Sequence, residues 1–268
     1  MYCNIVDYNI CSRIYFTTQY LHILHNKITN KITYKGSIIM TKKLSLILLM
    51  SLYASGEGFE DNFKGLWGVG ASVLQSNYTN ADTESTLAPY IFGSFGTLRI
   101  EANRILYPLY STHEYSILAT GNYRTQQYSE ELDLDRSIEL GLTLDVPLSH
   151  GFSSRIAALA DVSDTHNGYE LEALLYRHDK ISKLSILTAI AVQYQNKDLA
   201  NYYYATNTYT ANDGYVFEVE LIATYPIVDD FSFFAGVRSY WYGSNVSDSP
   251  LASSSNTLLS FFGVGYNF

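Results

Sequence analysis

From Trp67 to Phe268 the chain repeats one theme, a stretch that alternates apolar with small or polar residues and then a turn. The cleanest example sets Ile138, Leu140, Leu142, Leu144 and Val146 against Glu139, Gly141, Thr143 and Asp145. Side chains two residues apart share a face of a β-strand, so each such stretch has one apolar and one polar face. The last strand puts Leu258, Phe262, Val264, Tyr266 and Phe268 on one face, interrupted by Ser260 alone. A soluble chain seldom ends on so apolar a strand, because an unpaired hydrophobic edge invites aggregation. The pattern points to an all-β chain forming a transmembrane antiparallel β-barrel, apolar toward lipid and polar toward the lumen.

The inner faces carry the charges. Alternation assigns Glu139, Asp145, Arg155, Glu170, Glu172, Glu218, Glu220 and Arg238 to the lumen. The opposite register would place bases in lipid, at roughly 2–4 kcal/mol each at the midplane. Turns alternate short (Pro147–Gly151, His178–Ser182, Pro226–Asp230) with long, and aromatics such as Tyr215, Tyr225, Phe231 and Trp241 collect at strand ends. Both features fit short periplasmic turns, longer outer loops and interfacial girdles, with N and C termini periplasmic and an even strand count. Reading Leu87–Leu106 as one strand yields ten strands. Breaking it at Gly93–Gly96 and adding a strand near Tyr202–Tyr209 yields twelve.

The amino terminus reads differently. Met40-Thr41-Lys42-Lys43 precedes an apolar run, Leu44–Leu52, and then the small residues Ala54-Ser55-Gly56. This is the layout of a secretory signal peptide, with an apolar core too short to span a bilayer. The expected organisation is a non-native leader over residues 1–39 from an upstream start, a signal peptide over 40–56, and the barrel over 57–268. One of the 26 acids and six of the 17 bases precede Glu57, so the barrel segment has a formal charge of −14. That excludes a nucleic-acid surface, which needs clustered Lys and Arg. Both cysteines, Cys3 and Cys11, also precede it, so no disulfide frame or thiol nucleophile is expected there.

No nucleophile elbow, phosphate loop or metal-spaced histidine pair stands out, so no catalytic residue, cofactor or metal is expected. His113, His150, His166 and His178 fall at expected turns and read as solvated. Asp161, Asp164 and His166 resemble a hydrolase constellation only loosely. The inner charges admit two readings, a water-filled cation-leaning lumen or a plug of acids and bases paired across it. The Tyr-rich stretch Asn201–Asn207 reads as an outer binding surface or as a continuation of the girdle.

Several segments together resemble the MipA/OmpV family of outer-membrane proteins, from about Trp67 to Phe268. They are Tyr123-Arg124 and Leu132–Arg136 before Glu139-Leu140-Gly141-Leu142, then Asp161-Val162-Ser163-Asp164-Thr165-His166-Asn167-Gly168 and Asn201-Tyr202-Tyr203-Tyr204. Ser249-Pro250-Leu251 and Gly263-Val264-Gly265-Tyr266-Asn267-Phe268 complete the series. Tyr204-Ala205-Thr206 departs from the Tyr-Gly-Val expected of the family. The resemblance implies an integral barrel in the outer membrane of a Gram-negative bacterium, surrounded by its lipid. It also implies a non-enzymatic role, as a scaffold joining a murein transglycosylase to a peptidoglycan synthase; a small diffusion channel or an adhesin is the alternative. Val264, Tyr266 and Phe268 would then serve as the assembly signal read by the barrel-insertion machinery.

Overall fold

The computed structural model describes residues 62–79, 81–125, 127, 129, 132 and 134–268. The leader and signal-peptide expectations for residues 1–56 lie outside them. Twelve antiparallel strands form one closed barrel, each paired with its sequence neighbour, and β1 closes on β12. They are β1 (Phe63–Gln75), β2 (Glu84–Phe95), β3 (Leu98–Glu101), β4 (Arg104–Ser111), β5 (Ser116–Tyr123), β6 (Ile138–Pro147), β7 (Phe152–Asp161), β8 (Tyr169–Ile181), β9 (Leu184–Gln195), β10 (Gly214–Val228), β11 (Phe231–Tyr242) and β12 (Asn256–Asn267). The seam sets Trp67 opposite Tyr266 and Val73 opposite Ser260. Closure satisfies the backbone groups that an open edge would leave bare in lipid.

Burial is inverted relative to a soluble fold. On β6, Leu140 and Leu142 are more than half exposed on the outside, whereas Glu139 is 1% exposed inside. The same holds for Leu171 against Glu170 and Glu172, and for Phe217 and Leu221 against Glu218 and Glu220. Such a surface is stable only with hydrocarbon around it. Gly141 permits the β6–β7 contact, since a Cβ there would collide with the Ala158 carbonyl.

The count of twelve arises differently from the sequence partition. Leu87–Leu106 belongs to three strands, β2 to β4, folded back at Gly96-Thr97 and again at Ala102-Asn103. Gly96 and Ala102 both adopt positive φ (59° and 53°), the conformation a reversal this tight requires. The Tyr202–Tyr209 stretch is not a strand. It holds the end of helix α1 (Lys197–Tyr204) and a single Thr206–Tyr209 bridge.

Because β3 has only four residues, the wall is notched. Strand β2 pairs with β3 only through Phe92–Phe95, so among the described residues no strand pairs with Glu84–Tyr90 on that side. Ala102 N–H donates to the Ile91 carbonyl (2.9 Å), which shows that alternate residues from Ile91 turn their backbone toward the notch. Pro89 is one of these, and it presents no N–H to the open edge.

At the end of the barrel away from Phe63 and Phe268 the long loops fold into a cap. Its core is Tyr78, Leu199, Ala200, Tyr203, Tyr204, Ala211, Val216, Tyr240, Tyr242 and Val246, from α1, the short helix α2 (Ser244–Ser247), β10, β11 and the loops after β1 and α1. Helix α1 starts at Asn196, whose Oδ1 accepts from Leu199 N–H (3.3 Å) and from Tyr169 N–H (2.8 Å), tying the cap to the head of β8. Gly168 lies beneath, where any Cβ would strike Leu199 N.

Candidate functional site in the lumen and cap

Inward charges from distant strands meet in the middle of the barrel. Arg104 on β4 forms a bidentate pair with Glu172 on β8 (2.7 and 3.1 Å). Arg155 on β7 does the same with Glu101 on β3 (2.8 and 3.2 Å). Each partner lies four strands from the other around the wall, so these pairs are struts across the lumen. Asp145 accepts from Arg99 (2.9 Å) and Tyr176 OH (2.9 Å) and lies 3.4 Å from Arg155. On the opposite wall Arg238 holds both Glu220 and Glu218, the latter at 3.3 Å.

Nearer the cap one guanidinium organises the site. The Arg124 side chain, 0% exposed, donates from Nε to Glu139 (2.6 Å), from Nη2 to Glu170 (2.8 Å) and from Nη1 to Gln127 (3.0 Å). Burial alone would lower the pKa of Arg124, but the fields of Glu139 and Glu170 outweigh it and hold the group well above its ordinary value. Glu139 also accepts from Asn122 (2.7 Å), and Glu170 from Gln195 (3.1 Å). The Gln127 carbonyl in turn accepts from Tyr78 OH (2.9 Å), so cap and lumen form one continuous hydrogen-bonded body.

Within the cap, Tyr204 OH donates to Asn77 (3.1 Å), its carbonyl accepts from Ser249 Oγ (2.6 Å), and its ring stacks on Tyr78. Burial pushes the Tyr203 phenol up to about 12 and also holds Tyr78 and Tyr204 well above the ordinary tyrosine value. Tyr203 and Tyr204 of the Asn201–Asn207 stretch therefore belong neither to an exposed binding surface nor to a lipid girdle. Tyr203 and Tyr204 are the inside of the cap.

All eight charges assigned to the lumen from sequence take part in ion pairs there. Sequence reasoning put Arg124 on the polar face opposite Tyr123 but missed their other partners Arg99, Glu101 and Arg104. Arg99 and Glu101 flank Ile100 with the same spacing as Glu218 and Glu220 flank Val219, a signal hidden inside the stretch read as one long strand. Two histidines also differ from expectation. His178 is inside β8, which runs on to Ile181, so the expected turn there shifts to Ser182-Lys183. His166 is 4% exposed. Its Nδ1 accepts from Gly168 N–H (3.0 Å), which leaves Nε2 to donate to Glu139 (3.2 Å). Asp161 instead accepts from Ser163 and from the backbone of His166 and Asn167, so it shapes a loop and makes no catalytic contact with the histidine ring. Among the described residues no group of three or more His, Cys, Asp or Glu side chains could hold a metal ion.

At the C-terminal end, Val264 faces outward and is half exposed, and Tyr266 packs on Phe231 and Phe268. Phe268 in turn meets Phe63 edge to face, at the seam between β12 and β1. A cavity of about 550 Å³ remains between the struts and the wall formed by β1, β2 and β12.

A closed antiparallel barrel, apolar outside and charged within, is the construction of a bacterial outer-membrane protein. The comparisons agree. The sequence model of the family described as MltA-interacting protein MipA matches residues 67–268, and the chain belongs to that family. It is 25% identical over 257 residues to the MltA-interacting protein of Escherichia coli (strain K12), covering 84% of this chain and 99% of the relative. It is 21% identical to the putative outer membrane protein YiaT of the same strain, over 75% of this chain and 89% of the relative. It is also 24% identical to the outer membrane protein Omp26La of Vibrio anguillarum, over 49% and 54%. A solved porin aligns at 11% identity and a TM-score of 0.35, over 76% of this chain and 99% of the porin; the barrel assignment rests on the strand register itself.

Proposed function

We propose that this outer-membrane barrel is a non-enzymatic structural or scaffolding protein that contacts peptidoglycan-remodelling enzymes through its terminal end, with both termini in the periplasm. The observation that carries the reading is the transverse pairing of Arg104 with Glu172 and Arg155 with Glu101 under a tyrosine-filled cap. A lumen built this way favours a rigid platform over a conduit. The name of a relative, MltA-interacting protein, supports a murein transglycosylase as one partner; a peptidoglycan synthase as the second rests on the family resemblance alone. The docking surface would be the short turns at Leu148–Gly151, Ser182-Lys183 and Asp229-Asp230.

The second reading, a small cation-leaning diffusion channel, draws on the acidic excess around Glu218 and Glu220. Affinity capture of the tagged chain from detergent-solubilised outer membranes tests the first. A murein transglycosylase and a peptidoglycan synthase are expected in the eluate, and both should be lost when the three turns are replaced by Gly-Ser. Recovery of neither from wild type refutes the scaffold.

A further inference from the structure

The 550 Å³ cavity is two-sided and opens sideways. One wall is apolar, with Leu74, Ala88, Leu259 and Phe261 turned inward from β1, β2 and β12. The facing wall presents Glu172, Glu218, Glu220, Arg104, Arg238 and Gln193. The lining also includes Pro89 and Tyr123, one on either side of the notch above β3, and the Ala102-Asn103 turn that floors it. Among the described residues the cavity thus reaches the outer surface through the wall. Around that opening the outer face is apolar, with Leu87, Ile105 and Tyr107 each more than a third exposed, so the notch faces hydrocarbon.

The polar wall is not balanced. Three carboxylates, Glu172, Glu218 and Glu220, are held by two guanidiniums, Arg104 and Arg238. Gln193, 3% exposed, donates from Nε2 to Glu218 (2.8 Å), and this leaves its Oε1 buried with no hydrogen-bond partner among the described residues. A buried acceptor without a donor is costly, and beside an excess carboxylate it is best met by a cationic donor. We infer that the cavity is a binding site for a cationic amphiphile, a primary ammonium group on an apolar chain, which enters from the membrane through the notch between β2 and the end of β5. The ammonium sits against Glu218 beside the Gln193 amide, and the chain lies along Ala88, Leu259 and Phe261. This is independent of the scaffold reading.

The test is calorimetric titration of the protein in neutral-lipid nanodiscs with octylammonium, octanol and octyl sulfate, with empty discs subtracted. Octylammonium is expected to bind saturably with one site per barrel, at least tenfold more tightly than either analogue. Ala88→Trp, which fills the mouth of the cavity, should weaken it at least tenfold. Glu218→Gln should weaken octylammonium tenfold and leave octanol unchanged. Retained folding of each variant is read from the mobility shift between heated and unheated gels, and the wild-type selectivity needs no variant. No saturable binding, or octanol or octyl sulfate binding as tightly as the amine, overturns the inference. Undiminished binding to folded Ala88→Trp overturns the location.

Discussion

Replacing Arg124 by Met removes one guanidinium and strands two buried carboxylates. Arg124 makes three charge-assisted or polar bonds, to Glu139, Glu170 and Gln127, with no exposure of its side chain. Glu139 would keep Asn122 and His166, and Glu170 would keep Gln195, so neither acid is left bare of donors. Removing one partner of a buried ion pair costs about 3–5 kcal/mol, mostly because the remaining charge is uncompensated, and that is the loss expected here. Arg124→Met combined with Glu139→Gln and Glu170→Gln removes the stranded charge and should recover at least about 2 kcal/mol of it, since the coupled terms are not additive. Reversible urea unfolding in phospholipid micelles, followed by the fluorescence of Trp67 and Trp241, measures both. A single variant within about 1 kcal/mol of wild type, or a triple variant less stable than the single, refutes the role given to Arg124.

Two further outcomes follow from the cap and the seam. The folded pKa of Tyr203 is raised from 10.0 to about 12, so its contribution is complete below pH 10 and is lost as pH rises through 12. That amounts to at most about 3 kcal/mol. Phenolate absorbance should show a late-titrating tyrosine class in the folded protein that merges with the rest on unfolding, and a single transition near 10 would contradict the buried cap. Deleting Phe268 removes the aromatic that joins Tyr266 to Phe63 at the seam and ends the expected assembly signal of Val264, Tyr266 and Phe268. Outer-membrane insertion should fall while export continues, as fractionation would show; normal insertion excludes that signal.

How much of this was legible in the sequence depended on local periodicity. Ile138–Val146 keeps a strict period of two and Tyr215–Tyr225 departs from it only at the inward apolar residues Val216 and Ile222, so their outer faces and inward acids could be read directly. Leu87–Ser111 concealed three strands because one reversal uses Ala102 at positive φ, a residue that carries no turn signal. The notch, and with it the lateral opening, was hidden by the same reversal. The struts were half legible. Alternation supplies the face of Glu172 or Arg155 but says nothing of a partner four strands away. The cap was not legible at all, since Tyr78, Tyr204 and Tyr242 meet only after the barrel closes. A run such as Tyr202-Tyr203-Tyr204 has the same composition in a girdle, a loop or a core.

The central claim is that paired charges and the cap make this barrel a closed platform. Single-channel recording in planar lipid bilayers tests it most directly. Wild-type protein is predicted to show no stable conductance steps. Cation-selective steps that vanish in the Glu218→Ala, Glu220→Ala double variant would contradict the claim and establish a channel.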